Sequence, residues 1–217
     1  MIVQTISDPV CPLCHTRNSH PFHEDGQRAY LQCRTCDLIH VPSRHRLSRE
    51  DEKAQYDFHE NDPDDPRYRA FLNALFEPMR DRLSPGARGI DFGAGPGPAL
   101  AAMFREAGFP MAIYDPFYAA DRDVLNRTYD FLTCTETAEH FFDPYTEWQR
   151  FRQLVRPGGL IGVMTRFRLS DHSFADWRYK DDPTHVCFYS PETFEWIGRR
   201  YGMAVTLIGD SVAIFER

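Results

Sequence analysis

Between residues 66 and 79 the apolar side chains Tyr68, Phe71, Leu72, Leu75, Phe76 and Met79 recur three and four positions apart, the stripe of a helix with one face on a core. Pro78 should bend or end that helix. Ser84-Pro85-Gly86 breaks the chain, and beyond Arg88 short apolar runs alternate with helical stretches. Strands are predicted at 88–92, 111–114, 129–134 and 160–165, with helices at 98–107 and 144–154 between successive pairs. Strands separated by helices pair in parallel, because a parallel connection needs a long crossover. A last helix at 191–201, with Ser190 as N-cap and Pro191 in its first turn, leads into runs at 204–208 and 211–215. Gly209-Asp210 between those runs is a two-residue hairpin signal. The expected fold is α/β, a mostly parallel sheet finishing in an antiparallel hairpin.

Upstream the pattern changes. Leu38-Ile39-His40-Val41-Pro42 reads as a short strand, and residues 43–65 form a polar stretch rich in Arg, Asp and Glu that reads as a connector. The expected division is a head at 1–42, a connector and helix at 43–84, and the α/β domain at 85–217. No internal repeat is visible. A chain of 217 residues buries roughly 70% of its extended surface on folding, enough for one core and a small appendage. With 25 Lys and Arg against 32 Asp and Glu, the formal charge of −7 provides no overall field to gather polyanions. Met1-Ile2-Val3-Gln4-Thr5-Ile6 lacks the basic start and apolar run of a signal peptide, and no stretch approaches a membrane span. The expectation is a soluble, cytoplasmic protein without a membrane segment.

Four of the six cysteines form two pairs, Cys11-Pro12-Leu13-Cys14 and Cys33-Arg34-Thr35-Cys36, each with two residues between thiols. Two such turns present four sulfurs to one ion, which is the spacing of a structural Zn²⁺ site with no open coordination position. His15, His20 and His23 lie near enough in sequence to replace a thiolate, although four cysteines already satisfy the metal. Two disulfides would require an oxidising compartment. A ribbon of this size buries too little apolar area to stand alone, so zinc would supply its folding energy.

The segment Asp91-Phe92-Gly93-Ala94-Gly95-Pro96-Gly97-Pro98 lies between a predicted strand and a predicted helix, where a ligand can approach the backbone at the strand's carboxyl end. Eighteen residues beyond Gly97, Asp115 ends the next strand, where a carboxylate can accept hydrogen bonds from two ribose hydroxyls. A nucleoside-containing cofactor is expected. The third glycine of a dinucleotide fingerprint would fall at position 98, which is Pro98. The G-x-G-x-G spacing with Asp91 before it resembles instead motif I of the class I S-adenosylmethionine-dependent methyltransferases. Glu139-His140-Phe141-Phe142-Asp143-Pro144 is similar to that family's signature after the fourth strand, and Arg156-Pro157-Gly158-Gly159 to its turn into the fifth. With the paired cysteines, the chain resembles a subgroup carrying a zinc-binding head.

The resemblance implies a Rossmann-like methyltransferase sheet and S-adenosylmethionine as cofactor. It implies that Asp91 holds the methionine amino group, that the loop of Gly93, Ala94, Gly95 and Gly97 admits the ribose and amino-acid moiety, and that Asp115 binds the ribose, with Pro116 and Glu136 in the same site. Only thirteen residues separate Asp115 from Tyr129, too few for the usual third strand with its flanking helices. That strand should be rudimentary or missing, which removes the family's usual adenine contacts. Asp121 or Asp123 could substitute, or Phe117 or Tyr118 cover the purine.

Methyl transfer from a sulfonium requires alignment of the acceptor and removal of its proton. His140 and His185 are the candidate bases, since histidine titrates near 6.5, although the Glu-His pair in this family often only shapes the rim. Phe174, Trp177 and Tyr179, interleaved with Asp171, Asp176, Arg178 and Lys180, are the candidate acceptor wall or else a brace beneath a loop, and Tyr189 a candidate acceptor-orienting hydroxyl. Cys134 reads as a buried strand residue and Cys187 as reactive only if exposed. No Ser-His-Asp set or phosphate loop supports a hydrolase or kinase. The expected activity is methyl transfer to a small metabolite. The alternatives are RNA methylation, with the head and Arg28, Arg34, Arg44, Arg46 and Arg49 contacting RNA, or a non-catalytic cofactor-binding protein. The acceptor and oligomeric state are left open.

Overall fold

The structure is a computed structural model that describes residues 10–58, 62–170 and 174–217; the N-terminal hexapeptide and Asp171 lie outside them. The chain begins with an antiparallel hairpin of β1 (Ser19–Glu24) and β2 (Ala29–Cys33), followed by β3 (Ile39–His40) on the far edge of β2. Then come two helices, α1 (Arg49–Tyr56) and α2 (Pro66–Arg80).

The α/β part alternates as the periodicity predicts: β4 (Gly89–Phe92), α3 (Ala99–Glu106), β5 (Met111–Tyr114), β6 (Tyr129–Thr135), α4 (Pro144–Leu154) and β7 (Val155–Met164). After β8 (Cys187–Phe188), α5 (Pro191–Tyr201) runs into the hairpin of β9 (Ala204–Ile208) and β10 (Val212–Glu216). The six-stranded sheet has the order β5-β4-β6-β7-β10-β9, parallel except for β10, which runs antiparallel to β7 and β9. Among the described residues no strand lies between β5 and β6, so the third strand is missing there. A 3₁₀ turn, Arg122–Asn126, takes its place and leaves β5 at the edge.

Helix α2 starts where Asp65 accepts a hydrogen bond from the Arg67 amide and Pro66 occupies the first turn, where its missing N–H is no loss. Leu72, Leu75 and Met79 are buried against the sheet, and the helix ends two residues after Pro78. It sits close because Gly162 on β7 has no side chain: a Cβ there would fall 2.8 Å from Met79 Sδ. Phe71, expected in the core stripe, is 48% exposed and stacks on Tyr68 instead.

Two features differ from the sequence reading. The polar stretch 43–65 is not only a connector, since it contains α1. Ser48 caps that helix through the Asp51 amide, and Glu50, Asp51 and Glu52 fill its first turn, where acids meet the positive end of the helix dipole. Its sequence has no apolar stripe, so periodicity could not reveal it. The head also does not close on itself. Strand β8, far along the chain, pairs antiparallel with β3 and completes a sheet of order β1-β2-β3-β8. Leu13, Tyr30 and Leu38 of the head accordingly belong to the same apolar core as Phe188, Phe92 and Phe151.

Candidate functional site

A cleft of about 740 Å³ opens at the carboxyl ends of β4, β5 and β6, where ligands bind in open α/β sheets. Its floor is the glycine loop. Gly93 (φ 78°) and Gly95 (φ 62°) adopt left-handed backbone, and a Cβ on Gly93 would fall 2.2 Å from Thr137 Cγ2. The amides of Gly93 and Ala94 donate to the Tyr114 carbonyl at 2.8 and 3.3 Å, locking the loop to the end of β5. Asp115 organises the rest: Oδ2 accepts from the Gly95 amide at 3.0 Å, and Oδ1 from the amides of Phe117 and Tyr118 at 2.8 and 3.0 Å. A carboxylate offers about four acceptor sites, so capacity for a ligand hydroxyl is retained.

Asp91 is 2% exposed and accepts from Thr133 Oγ1 at 2.7 Å. Burial pushes its pKa up to about 6. Glu136 holds left-handed backbone (φ 46°), which costs a side-chain-bearing residue about 1–3 kcal/mol. Its amide bond to the Met164 carbonyl, 2.8 Å, fixes that conformation at the end of β6. Burial, then the neighbouring Glu139 carboxylate, push the Glu136 pKa up to about 9, so it stands in the cleft as a neutral acid. Gly97 and Pro116 complete the predicted set, and every one of these residues lines the cleft. Phe117 and Tyr118 line it too, whereas Asp121 and Asp123 do not; Asp121 instead caps the 3₁₀ turn through the Asp123 amide.

At the other end the structure brings His140 and His185 together, ring centroids 4.7 Å apart. His140 lies on the 3₁₀ turn Ala138–His140 and His185 in the loop before β8. The Nδ1 of His185 meets the Tyr179 carbonyl at 2.6 Å and that of His140 meets the Thr184 carbonyl at 3.2 Å. Because both partners are acceptors, each Nδ1 carries the hydrogen. Burial lowers the His185 pKa and favours the neutral ring. Glu139 beside them is fully buried, and its Oε1 accepts from the Tyr179 hydroxyl at 2.5 Å.

Several contributors are not placed in this site by sequence, which reads Arg28 and Arg49 only as candidate RNA contacts. Arg49, Glu52 and Tyr56 of α1 wall the cleft. Arg28, in the head, donates to the carbonyls of Lys180, Pro183 and His185 and so pins the His185 loop. Of the two readings of the Phe174, Trp177 and Tyr179 segment, acceptor wall or brace, the structure supports the brace, since none of the three lines the cleft. Phe174 is 1% exposed, packed edge-on against Phe22, Tyr30 and Phe188 as a brace under the head. Tyr189 is buried with its hydroxyl on the Ala138 carbonyl. Cys134 and Cys187 are both buried.

The paired cysteines converge away from the cleft. Sγ of Cys11 and Cys36 are 3.6 Å apart, and those of Cys14 and Cys33 3.4 Å. Disulfides would require about 2.05 Å, whereas sulfurs at about 2.3 Å from a tetrahedral zinc lie about 3.8 Å apart. Each pair closes the same turn: the amide of His15 bonds to the Cys11 carbonyl at 3.0 Å and that of Asp37 to the Cys33 carbonyl at 2.8 Å. Both residues take left-handed backbone. Hydrogen bonding with Cys11 draws the Cys14 thiol down while Cys11 is pushed up; four packed thiols cannot all ionise without a cation. The donor set therefore fits zinc. His15 stacks on Tyr145 rather than joining the sulfurs.

No curated protein matches the chain by sequence. Solved structures share its fold. A Burkholderia thailandensis 1,6-didemethyltoxoflavin-N1-methyltransferase, with 1,6-didemethyltoxoflavin and S-adenosylhomocysteine bound, is 16% identical over 90% of this chain and 97% of that one, with a TM-score of 0.51. CalO1, a methyltransferase of calicheamicin biosynthesis in its S-adenosylhomocysteine-bound form, is 13% identical over 68% of this chain, with a TM-score of 0.51. This chain spans only 53% of CalO1's length. A methyltransferase-domain model matches residues 64–208, the segment that contains the glycine loop, Asp115 and both histidines. The chain belongs to the S-adenosylmethionine-dependent methyltransferase domains.

Proposed function

We propose that the chain methylates a small-molecule acceptor bound at the Glu139–His140–His185 end of the cleft. The observation that carries this reading is the cleft itself. It is continuous from the glycine loop to the two histidines, its volume of about 740 Å³ falls in the range of small-molecule sites, and α1 walls it on one side. S-adenosylmethionine, when bound, supplies an electrophilic methyl group on a sulfonium. Asp91 receives its ammonium group, Gly93, Ala94, Gly95 and Gly97 admit its backbone, Asp115 takes the ribose hydroxyls beside Pro116, and Phe117 covers the purine in place of the missing strand. Glu136, as a neutral acid, donates a hydrogen bond rather than repelling the carboxylate. His185 and His140 face the acceptor, and the neutral imidazole of His185 is placed to take its proton.

The head is proposed to hold one structural Zn²⁺ on Cys11, Cys14, Cys33 and Cys36. It also supports the acceptor end, since β3 pairs with β8 and Arg28 pins the loop of His185. An RNA acceptor is less well supported. Arg28 is spent on buried carbonyls, Arg46 on the carbonyls of Val41 and Phe142, and Asp91, Asp115, Glu139, Asp143 and Asp182 make the cleft acidic.

The test is transfer of isotope-labelled methyl from S-adenosylmethionine into a fractionated cell extract. Label in the dialysable fraction, absent with Asp115→Ala, is the expected result. Label confined to RNA would overturn the small-molecule reading.

A further inference from the structure

The cofactor leaves one group unexplained. Glu139 is fully buried, Tyr179 satisfies Oε1, and Oε2 has no hydrogen-bond partner. A buried carboxylate oxygen is costly unless a proton, a donor or a cation meets it. One Glu139 oxygen and one ring nitrogen from each of His140 and His185 lie within 4.8 Å of one another. Metal-ligating histidines almost always give their other N–H to a carbonyl or carboxylate, and a ligating carboxylate is itself hydrogen-bonded. That outer layer is already in place: Nδ1 of His185 on the Tyr179 carbonyl, Nδ1 of His140 on the Thr184 carbonyl, and the Tyr179 hydroxyl on Glu139. Tyr179 therefore orients two of the three groups at once.

The geometry points to a second metal site, separate from the four thiols, in which Glu139, His140 and His185 hold one divalent ion of the zinc type. Two imidazoles and one carboxylate suit Zn²⁺, Co²⁺ or Ni²⁺, whereas Mg²⁺ and Ca²⁺ favour oxygen ligands. Three protein ligands leave a coordination position open, and all three line the cleft where the acceptor is placed. The ion is an anchor for an acceptor hydroxyl. The hydroxyl's O–H bond breaks with its proton released to water, because the ion lowers its pKa. The oxygen then forms the new bond to the methyl carbon as the methyl–sulfur bond breaks, leaving the neutral thioether product. This rests on the methyl-transfer reading and makes the histidines ligands rather than proton acceptors.

Cobalt is the probe. The full chain, its head loaded with zinc, is titrated with Co²⁺, bound metal is counted after desalting, and S-adenosylmethionine binding is measured on the same samples. The expected result is one Co²⁺ per chain beyond the head's zinc, with ligand-field absorption free of thiolate charge transfer. Tyr179→Phe, which keeps the ring but releases Glu139, should weaken Co²⁺ binding about ten- to a hundredfold, and Glu139→Gln should weaken it further, in variants whose circular dichroism matches the parent. A chain that binds no cobalt beyond the head's zinc, or one whose affinity is unchanged in both variants, overturns the site. Failure of the methyl-transfer reading shows separately as absent cofactor binding, and the cobalt count still decides the metal.

Discussion

The carboxylate of Asp37, the residue after the fourth cysteine, accepts a hydrogen bond from the hydroxyl of Ser190, the N-cap of α5, at 2.5 Å. The same carboxylate pairs with the Arg168 guanidinium and accepts from Gln32 at 2.8 Å. One side chain in a metal-type turn thus joins the head to the last helix of the methyltransferase sheet. Asp37 holds Ser190, Gln32 and the mostly buried Arg168 at once, so its removal should cost far more than the loss of a surface ion pair. Asp37→Ala is expected to lose about 3 kcal/mol, against about 1 kcal/mol for loss of the cap hydroxyl in Ser190→Ala. Urea unfolding of the two variants would check the order.

Removal of the zinc proposed for the four thiols should be felt in the cleft. The Val186 amide bonds to the Glu139 carbonyl at 2.8 Å, and the Val41 amide to the Val186 carbonyl at 2.9 Å, so the His185 loop hangs between head and sheet. Cys11→Ser and Cys36→Ser are expected to speed hydrogen exchange at Val186 and Cys187 at least tenfold, while amides of β4 and β6 keep their protection. Uniform exchange across both regions would contradict this transmission.

Two glycines with the same backbone separate geometry from function. Gly93 and Gly86 both have φ near 77°, at 78° and 76°. A Cβ on Gly86 meets nothing within 4 Å, whereas on Gly93 it strikes Thr137. Gly86→Ala should cost only the left-handed backbone penalty, about 1–2 kcal/mol. Gly93→Ala should add a clash at the floor of the cleft and weaken S-adenosylmethionine binding by more than tenfold in calorimetry, with Gly86→Ala binding normally.

Acidity should weaken cofactor binding through Asp91. Its pKa is raised by burial to about 6, with Asp115 raising and Arg105 lowering it, above the ordinary value of 3.8. A raised carboxyl is neutral below about pH 6, so the ionised form that attracts an ammonium group is lost as pH falls through that point. Affinity should drop by up to tenfold per pH unit below about 6 and stay level above it. The same shift opposes folding as pH rises from about 4 to 6, by about 3 kcal/mol once Asp91 is ionised without a ligand. Asp91→Asn should bind weakly with a flat profile.

Much of this protein is readable along the chain because its signals are local. Three- and four-residue spacing marks α2, the glycines and Asp115 mark the floor of the cleft, the cysteine pairs mark the head, and thirteen residues between Asp115 and Tyr129 announce the missing strand. Tertiary structure decided what depends on residues far apart. Helix α1 has no apolar stripe, and only the cleft shows why Arg49, Glu52 and Tyr56 are there. The aromatic segment that reads equally as an acceptor wall or a brace is a brace, because β8 is drawn into the head sheet and buries Phe174 beneath it. His140 and His185, 45 positions apart, meet only when that loop folds back, and Tyr179 reaches Glu139 by the same closure. Periodicity and spacing encode the conformation of neighbours; contacts between distant segments arise from burial of a shared core, which no local pattern records.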